Sequence, residues 1–486
     1  MAAFSIGLIA EQPNIIIFLA DDFGYGCTNP YGDNESYVKT PGINRLAQEG
    51  RLFTDASTPS SVCSPTRYAL LTGQYEWRSG RQYATSGTRD PLCIDLNRPT
   101  VPKLLKNNGY KTACIGKWHL GYQNSQTDYT KQLTPGPLDI GFDYHWGVPV
   151  NNGDLVGAWI ENEWVHGLVE KMEDLPKEQR HPAKNHLGRD MLGIPAPFRD
   201  NHHTEGVLLE KAKAWIKDQH DNGDPFFLYH AFTAIHIPIT PGPSWQGSSN
   251  AGVYGDFVQQ MDGSVNEILT LLDDLNIADN TIVIFTADNG WDYFWNFGDV
   301  HDPMPEGYYN TLGGDFRGSK HTIWEAGFKV PYIVRWPGRV PAGTVCDEMI
   351  SLVDTYATIS ALLGIKMPPA SGENAGAEDS FNVLPAWLGD SNEKPIRDFV
   401  ILSSSTGNTA IRSGDYKYIT GVALDPRLDE EKQGNRRAPE YVDDQLYNLK
   451  NDVSESKNIS AANPEIVAKF KGILDKVRKA GRSRNL

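Results

Sequence analysis

The chemistry-bearing residues of this 486-residue chain fall in a few short runs. One is Ser61-Val62-Cys63-Ser64-Pro65-Thr66-Arg67, followed by Tyr68-Ala69-Leu70-Leu71 and Thr72-Gly73. Ser64-Pro65 ahead of an apolar stretch reads as a helix start with proline near the first turn. Cys63 therefore stands at a helix N-terminus, where the dipole and free N–H groups favour anionic oxygen. Arg67, one turn on, points back along the same face and adds a fixed positive charge. Asp21-Asp22 and Asp288-Asn289 offer only oxygen donors, a set that suits Ca2+ or Mg2+ and not Zn2+. Lys117, His119, His236 and Lys320 add cations and titratable rings.

Most of these residues follow an apolar run. Asn14–Ala20 stops at Asp21-Asp22, and Lys111–Gly116 stops at Lys117-Trp118-His119. Thr281–Ala287 stops at Asp288-Asn289-Gly290, and Phe226–Tyr229 leads through Ala231-Phe232 to His236. Val330–Trp336 is a further strand. Continuous β-branched runs suit strands buried on both faces, as in a parallel sheet. Between them, Val258, Met261, Val265, Ile268, Leu269 and Leu272 repeat with helical spacing over 255–275, and shorter helices are predicted at 43–49 and 101–107. The alternation predicts a doubly wound α/β domain, whose ligands bind beyond the carboxyl ends of the strands. Topology alone thus gathers Asp21, Asp22, Lys117, His119, His236, Asp288 and Asn289 along one edge. Lys117 and His119 are expected to alternate on a strand end and so face the same side.

After about Leu388 the pattern changes. Short strands are predicted at 399–402, 410–412, 416–419 and 445–449, then an amphipathic helix after Asn463-Pro464. The expected organisation is a catalytic domain over 13–390 and a smaller α+β subdomain over 395–480, with a short antiparallel sheet and a terminal helix. Residues 150–205 and 421–443 are weakly patterned and predicted to be loops that shape a substrate site.

Composition bounds the function. Hydrophobic residues make up 40% and charged residues 22%, ordinary for a soluble globular enzyme. No apolar run approaches the roughly 18–20 residues of a membrane span. Five cysteines cannot form a disulfide framework in so long a chain. The net charge of −16 opposes nucleic-acid binding, so an anionic substrate must be drawn by local cations. Met1–Ala10 is apolar but short and lacks a cationic start, as for an export signal that is absent or trimmed, or an expression scar.

Cys63-x-Pro65-x-Arg67, with its trailing apolar pair and Gly73, resembles the signature of the type I, formylglycine-dependent sulfatases of the alkaline-phosphatase-like superfamily. Gly109–Leu120 resembles their second signature, and Ala234–Pro238 their His-x-Pro element, with Ile235 where Pro or Thr is common. Arg317-Gly318-Ser319-Lys320 with Glu325-Ala326-Gly327 resembles their Arg-Gly-x-Lys…Glu-Gly-Gly element. Here Ala326 replaces a glycine, and His321 stands where glycine is usual. Pro13-Asn14, Ser351–Asp354, Ala410–Arg412 and Leu446–Leu449 extend the resemblance over nearly the whole chain.

The resemblance implies a large mixed, mostly parallel sheet sandwiched by helices. It implies that a separate formylglycine-generating enzyme oxidises Cys63 to Cα-formylglycine. One hydroxyl of the hydrated aldehyde then attacks sulfur to give a covalent sulfate intermediate, and the other drives sulfate release. It implies Ca2+, or Mg2+, held by Asp21, Asp22, Asp288 and Asn289 with the modified Cys63 beside the ion. Lys117 and Lys320 are expected to grip sulfate oxygens and Arg67 to hold the diol. His236 would protonate the leaving alkoxide, and His119 would assist sulfate release.

The implied activity is sulfuric ester hydrolysis. A phosphonate or phosphate ester hydrolase of the same superfamily is the alternative, and a non-catalytic binder of sulfated glycans a more distant one. The expected substrate is a sulfated mono-, oligo- or polysaccharide, such as an algal galactan or a glycosaminoglycan fragment. The expected location is periplasmic or extracellular, or lysosome-like in a eukaryote. Arg89, Trp291, Trp295, His202, His203, His301, Tyr308 and His321 are expected around a carbohydrate-sized cleft, because aromatics stack on sugar faces and His or Arg reads anionic groups.

Overall fold

The structure is a computed structural model that describes residues 12–32, 34–80, 85–292, 304–390, 394–421 and 443–486. Its strands, in chain order, begin with β1 (Asn14–Ala20), β2 (Arg51–Phe53), β3 (Ala56–Ser57) and β4 (Lys111–Lys117). β5 (Tyr144–Val148), β6 (Ile160–Glu161), β7 (Trp164–Val165) and β8 (Phe226–Ala231) follow. Then come β9 (Thr281–Ala287), β10 (Tyr332–Arg335), β11 (Thr344–Cys346) and β12 (Ile350–Ser351). β13 (Val400–Ser403), β14 (Thr409–Ser413), β15 (Tyr416–Ile419) and β16 (Gln445–Asn448) complete the set.

β9, β1, β8, β4 and β5 lie side by side in that order and run parallel. Every residue of β1, β8 and β9 is buried, which is why these strands read as continuous apolar runs instead of alternating ones. Burying each Ile, Leu or Phe of β1 contributes roughly 1.5–3 kcal/mol before conformational entropy is subtracted. β10 joins antiparallel beside β9, then β2 and β11 extend that edge; the β6–β7 hairpin extends the other edge antiparallel to β5. The ten-stranded sheet is therefore mixed and mostly parallel, as expected.

Two helix groups cover it. α1 (Pro41–Glu49) packs on α5 (Gly252–Asp274), which also meets α4 (Thr204–Asn222). α2 (Cys63–Thr72) packs on α3 (Val101–Lys106) and on the helix Thr355–Leu362. Among the described residues, no helix is long and apolar enough to cross a membrane. The stretch 150–205 is mostly irregular, but it contains β6 and β7, each two residues long and too short to show alternation in sequence.

β13 to β16 form a separate four-stranded antiparallel sheet. Its register puts Ile401, Ile411, Tyr418 and Leu446 on one face, packed with Phe470, Leu474 and Val477 of the terminal helix Pro464–Ala480. Ala69 of α2 belongs to the same cluster, so this sheet props the helix that starts at Cys63. Val400, Leu402, Ala410, Ile419 and Tyr447 on the other face pack on Ile323, Trp324 and Phe328, just beyond Lys320.

Buried charges clamp the same junction. Lys417 Nζ sits 3.1 Å from Glu325 and 2.8 Å from Glu455, and the Glu325 N–H donates to Glu455 Oε2 at 2.7 Å. Arg412 meets Asp55 at 2.7 Å, and Lys329 pairs with the same carboxylate. Removing one member leaves its partners buried and uncompensated, so Lys417→Ala is expected to lower stability by about 3–5 kcal/mol. Urea unfolding of wild type and variant checks this; a loss under about 1 kcal/mol, the scale of an exposed ion pair, would contradict the assigned clamp.

Candidate active site

The strand ends build the site. Beyond β1 the chain continues into Asp21 and Asp22, and Asp22 takes a left-handed φ of 57°. Beyond β9 it continues into Asp288 and Asn289, and then Gly290, where an added Cβ would fall 1.7 Å from the Ala326 oxygen. That contact leaves room only for glycine and lets the Glu325-Ala326-Gly327 segment close over the strand end. α2 starts at Cys63 and ends at Gly73, whose φ of 68° suits glycine and whose N–H donates to Ala69 O at 2.8 Å.

Asp21, Asp22, Asp288 and Cys63 are all buried, with one potential ligand atom from each lying within 4.8 Å of the others. Lys117 Nζ donates to both oxygens of Asp21, at 2.8 and 2.7 Å. Arg67 donates from Nε and Nη2 to Asp288 Oδ2, at 2.9 and 2.7 Å, and from Nη1 to the Lys117 carbonyl at 2.9 Å. Lys320 Nζ donates to Asp22 Oδ2 at 2.6 Å and lies 3.4 Å from Asp292. His236 Nε2 is 3.7 Å from Asp22, and Cys63 Sγ is 3.9 Å from Asp22 Oδ1.

This crowding shifts the charges. Burial, with the Asp288 and Asp22 carboxylates, pushes Asp21 well above the ordinary carboxylate range despite Lys117 and Arg67. Burial would also raise Asp22, but Lys320, His236 and Lys117 outweigh it and hold Asp22 below that range. Burial lifts the pKa of the Cys63 thiol above its usual value even with Lys117 and Lys320 nearby.

The donor set fits a hard divalent cation. Three carboxylates converge, and Asn289 Nδ2 donates to Asp22 Oδ1 at 2.9 Å and to the Gly290 carbonyl. Asn289 Oδ1 is buried with no hydrogen-bond partner among the described residues. A buried amide oxygen beside crowded carboxylates is what an oxygen-seeking ion of the Ca2+ or Mg2+ type satisfies.

A cavity of about 310 Å3 opens onto this cluster, with Cys63, His119, His236, Lys320 and His321 in its wall. Asp21, Asp22, Arg67, Lys117, Asp288 and Asn289 form the layer behind them, each at most 1% exposed. The expected alternation of Lys117 with His119 on one strand face is corrected. β4 ends at Lys117, and His119 lies past it with a left-handed φ of 60°. His119 Nε2 meets the Ser86 carbonyl at 2.9 Å, so Nε2 carries the proton, and Nδ1, which has no hydrogen-bond partner among the described residues, is left as an acceptor. His236 Nδ1 likewise meets the Ile237 carbonyl at 2.7 Å, which leaves Nε2 toward Asp22. Burial depresses the pKa of both rings, opposed by Asp22 at His236 and reinforced by Lys117 at His119.

The other described residues expected to contact substrate are not in this cavity wall, though the Trp291 carbonyl accepts from the Lys320 amide at 2.8 Å. Trp291 and Tyr308 are core residues, at 8% and 0% exposure, with Trp291 edge-on to Tyr309. His203 pairs with Asp200 at 3.6 Å and borders a separate surface hollow with Gly206 and Glu210. His202 bonds the Pro241 carbonyl, and exposed Arg89 follows the wall segment Thr85–Thr88. Trp295 and His301 lie outside the described residues. The wall also contains residues the sequence analysis did not name individually, including Ser86, Asn151, Asp154, Asn185, His186 and Arg189. Ser86 signals itself only in three dimensions, where its N–H donates to Ser64 Oγ and its carbonyl holds His119.

Comparison with known proteins places these features in context. The sulfatase family profile matches residues 13–365. N-acetylgalactosamine-6-O-sulfatase of Bacteroides thetaiotaomicron is 33% identical, over 97% of this chain and 94% of that protein. N-acetylgalactosamine-6-sulfatase of Sus scrofa is 34% identical, over 84% of this chain and 71% of its own. A solved structure from Bacteroides thetaiotaomicron, described in connection with the metabolism of multiple glycosaminoglycans, superposes with a TM-score of 0.81 at 32% identity, covering 97% of this chain and 100% of that one.

If the carboxylate cluster takes Ca2+, the ion stabilises the folded chain by about 2.7 kcal/mol at a hundred times its Kd. Calcium is therefore expected to raise the Tm of the wild type and to leave that of the Asp22→Asn/Asp288→Asn double variant where it stands. Equal shifts in the two proteins would place the ion elsewhere.

Proposed function

The chain belongs to the sulfatase family and is a sulfuric ester hydrolase; on that premise we propose that it removes the 6-O-sulfate from N-acetylgalactosamine in sulfated sugars. The observation that carries this reading is the similarity to an N-acetylgalactosamine-6-O-sulfatase along nearly the full length of both proteins. Similarity of that breadth also favours sulfate over the phosphonate or phosphate esters that the signature alone left open.

The catalytic unit is read as residues 13–390, with 395–480 as a subdomain whose sheet supports α2 and the Lys320 segment. Position 63 is read as Cα-formylglycine made by a maturation enzyme. The hydrated aldehyde would supply an oxygen nucleophile, and Ca2+ held by Asp21, Asp22, Asp288 and Asn289 would polarise sulfate oxygens.

The remaining chemistry belongs to the chain's own side chains. Lys320, in the cavity wall, grips a sulfate oxygen, while Lys117 behind it balances Asp21. Arg67 fixes Asp288 and the last carbonyl of β4, and so holds the floor beneath position 63. His236 Nε2 delivers a proton to the leaving sugar oxygen. His119 lines the cavity, and its buried Nδ1, which has no hydrogen-bond partner among the described residues, takes a proton from the side chain at position 63 when sulfate departs. A sulfated-sugar substrate supports a periplasmic, extracellular or lysosome-like location for the enzyme.

Two measurements test this. Wild type from a maturation-competent host is expected to release sulfate from N-acetylgalactosamine 6-sulfate, and absence of release would overturn the substrate. His236→Ala is expected to cost about 100–10,000-fold in kcat on the sugar sulfate but far less on nitrophenyl sulfate, whose leaving group needs no proton. Equal losses on the two esters would remove His236 from the acid role.

A further inference from the structure

The cavity continues past the charged cluster to a turn at residues 183–191, contributed by the irregular stretch before α4. The turn is tightly built. The Asn185 N–H donates to the Arg189 carbonyl at 2.8 Å, the Gly188 N–H donates back to Asn185 O at 3.0 Å, and Met191 N–H bonds Ala183 O. Asn185 Oδ1 accepts from the Leu187 and Arg189 amides. Asn185 Nδ2 donates to the Gly153 carbonyl at 3.1 Å, which ties the turn to the opposite wall. Gly153 itself is wedged: an added Cβ would fall 2.2 Å from His186 Cε1 and 2.5 Å from Pro238 Cδ, two residues past His236. The turn is thus registered against the same segment that carries the proposed acid.

Arg189 lies in this wall, exposed, and makes no side-chain hydrogen bond or ion pair among the described residues. The acids near it are engaged. Asp190 pairs with Lys184 at 3.8 Å, while Asp154 accepts from the Val156 and Gly157 amides and lies 3.6 Å from buried Arg199. In a chain of net charge −16, an unpaired guanidinium held in the wall of a substrate cavity by a prefolded turn is a binding group with no internal partner.

We propose that Arg189 is a specificity-determining residue that binds a second oxyanion of the substrate, besides the sulfate being removed. That oxyanion is a carboxylate on a neighbouring acidic sugar or another sulfate ester on the same ring. A guanidinium fork matches either group, and the cavity provides the path from Arg189 to Cys63. The inference rests on the sulfatase reading and refines its substrate class.

The test compares wild type, Arg189→Ala and Arg189→Lys on three sugars: N-acetylgalactosamine 6-sulfate, its 4,6-disulfate, and a disaccharide joining a uronic acid to the 6-sulfated sugar. Arg189→Ala is expected to lower kcat/KM on one two-anion sugar by about ten-fold or more beyond its effect on the single-anion sugar, chiefly through KM. Which sugar responds identifies the oxyanion. Arg189→Lys should recover part of the loss, and the gap should narrow as salt rises toward about 0.15 M. The same factor on all three sugars would overturn the assignment. If the wild type desulfates none of them, the proposed substrate fails. Arg189 is then judged by calorimetric Kd for the same sugars, where the ten-fold differential is still required.

Discussion

Buried negative charge is the constraint from which the rest of this structure follows. Asp21, Asp22 and Asp288 converge at strand ends with essentially no solvent, and carboxylates so placed repel unless cations stand among them. The chain supplies one fixed cation to each: Lys117 to Asp21, Lys320 to Asp22 and Arg67 to Asp288. With Asp292 near Lys320, these groups carry one negative charge in excess when all four carboxylates are ionised, and burial with that crowding raises the pKa of Asp21. A divalent cation would turn that excess into one positive charge, which a sulfate monoester anion then neutralises. The same electrostatics explains how an acidic protein accepts an anionic substrate, because attraction is confined to one pocket.

Holding such a set together demands accurate backbone placement. Asp22, His119 and His321 all adopt left-handed φ values, which cost a residue with a Cβ roughly 1–2 kcal/mol. Three such residues around one site mark where the fold accepts local strain to aim side chains. The cost is supported from behind. The parallel strands are packed on both faces, and the C-terminal sheet presses on α2 with one face and on the Lys320 segment with the other. Its turn also reaches the site, where Ser405 Oγ lies 3.2 Å from His321 Nδ1 and donates to the His321 carbonyl.

Much of this was legible in the sequence. β1 and β9 begin and end where their apolar runs do, because strands buried on both faces leave unbroken hydrophobic signatures. Asp21, Asp22, Lys117, Asp288 and Asn289 followed from topology, since residues at parallel strand ends share an edge. Cys63 at the start of α2 followed from the proline beside it. The cavity wall was less legible. Ser86, Asn151, Asn185 and Arg189 sit in irregular segments that carry no periodicity, and their neighbours are set by long-range contacts such as Asn185 to Gly153. Trp291 and Tyr308 are buried, a placement the sequence does not signal, because an aromatic beside a site has the same composition whether it stacks on a ligand or fills the core.

The central claim is the proposal that position 63 acts through an oxygen of formylglycine, the chemistry that the Cys63-x-Pro65-x-Arg67 signature of the family implies. The most direct measurement is the mass of the peptide containing residue 63, taken from active protein made in a host with the maturation enzyme. The account predicts a peptide that has lost sulfur and two hydrogens and gained one oxygen, in a fraction that tracks specific activity across preparations. A peptide carrying only the intact thiol, from protein that desulfates at full rate, would contradict it.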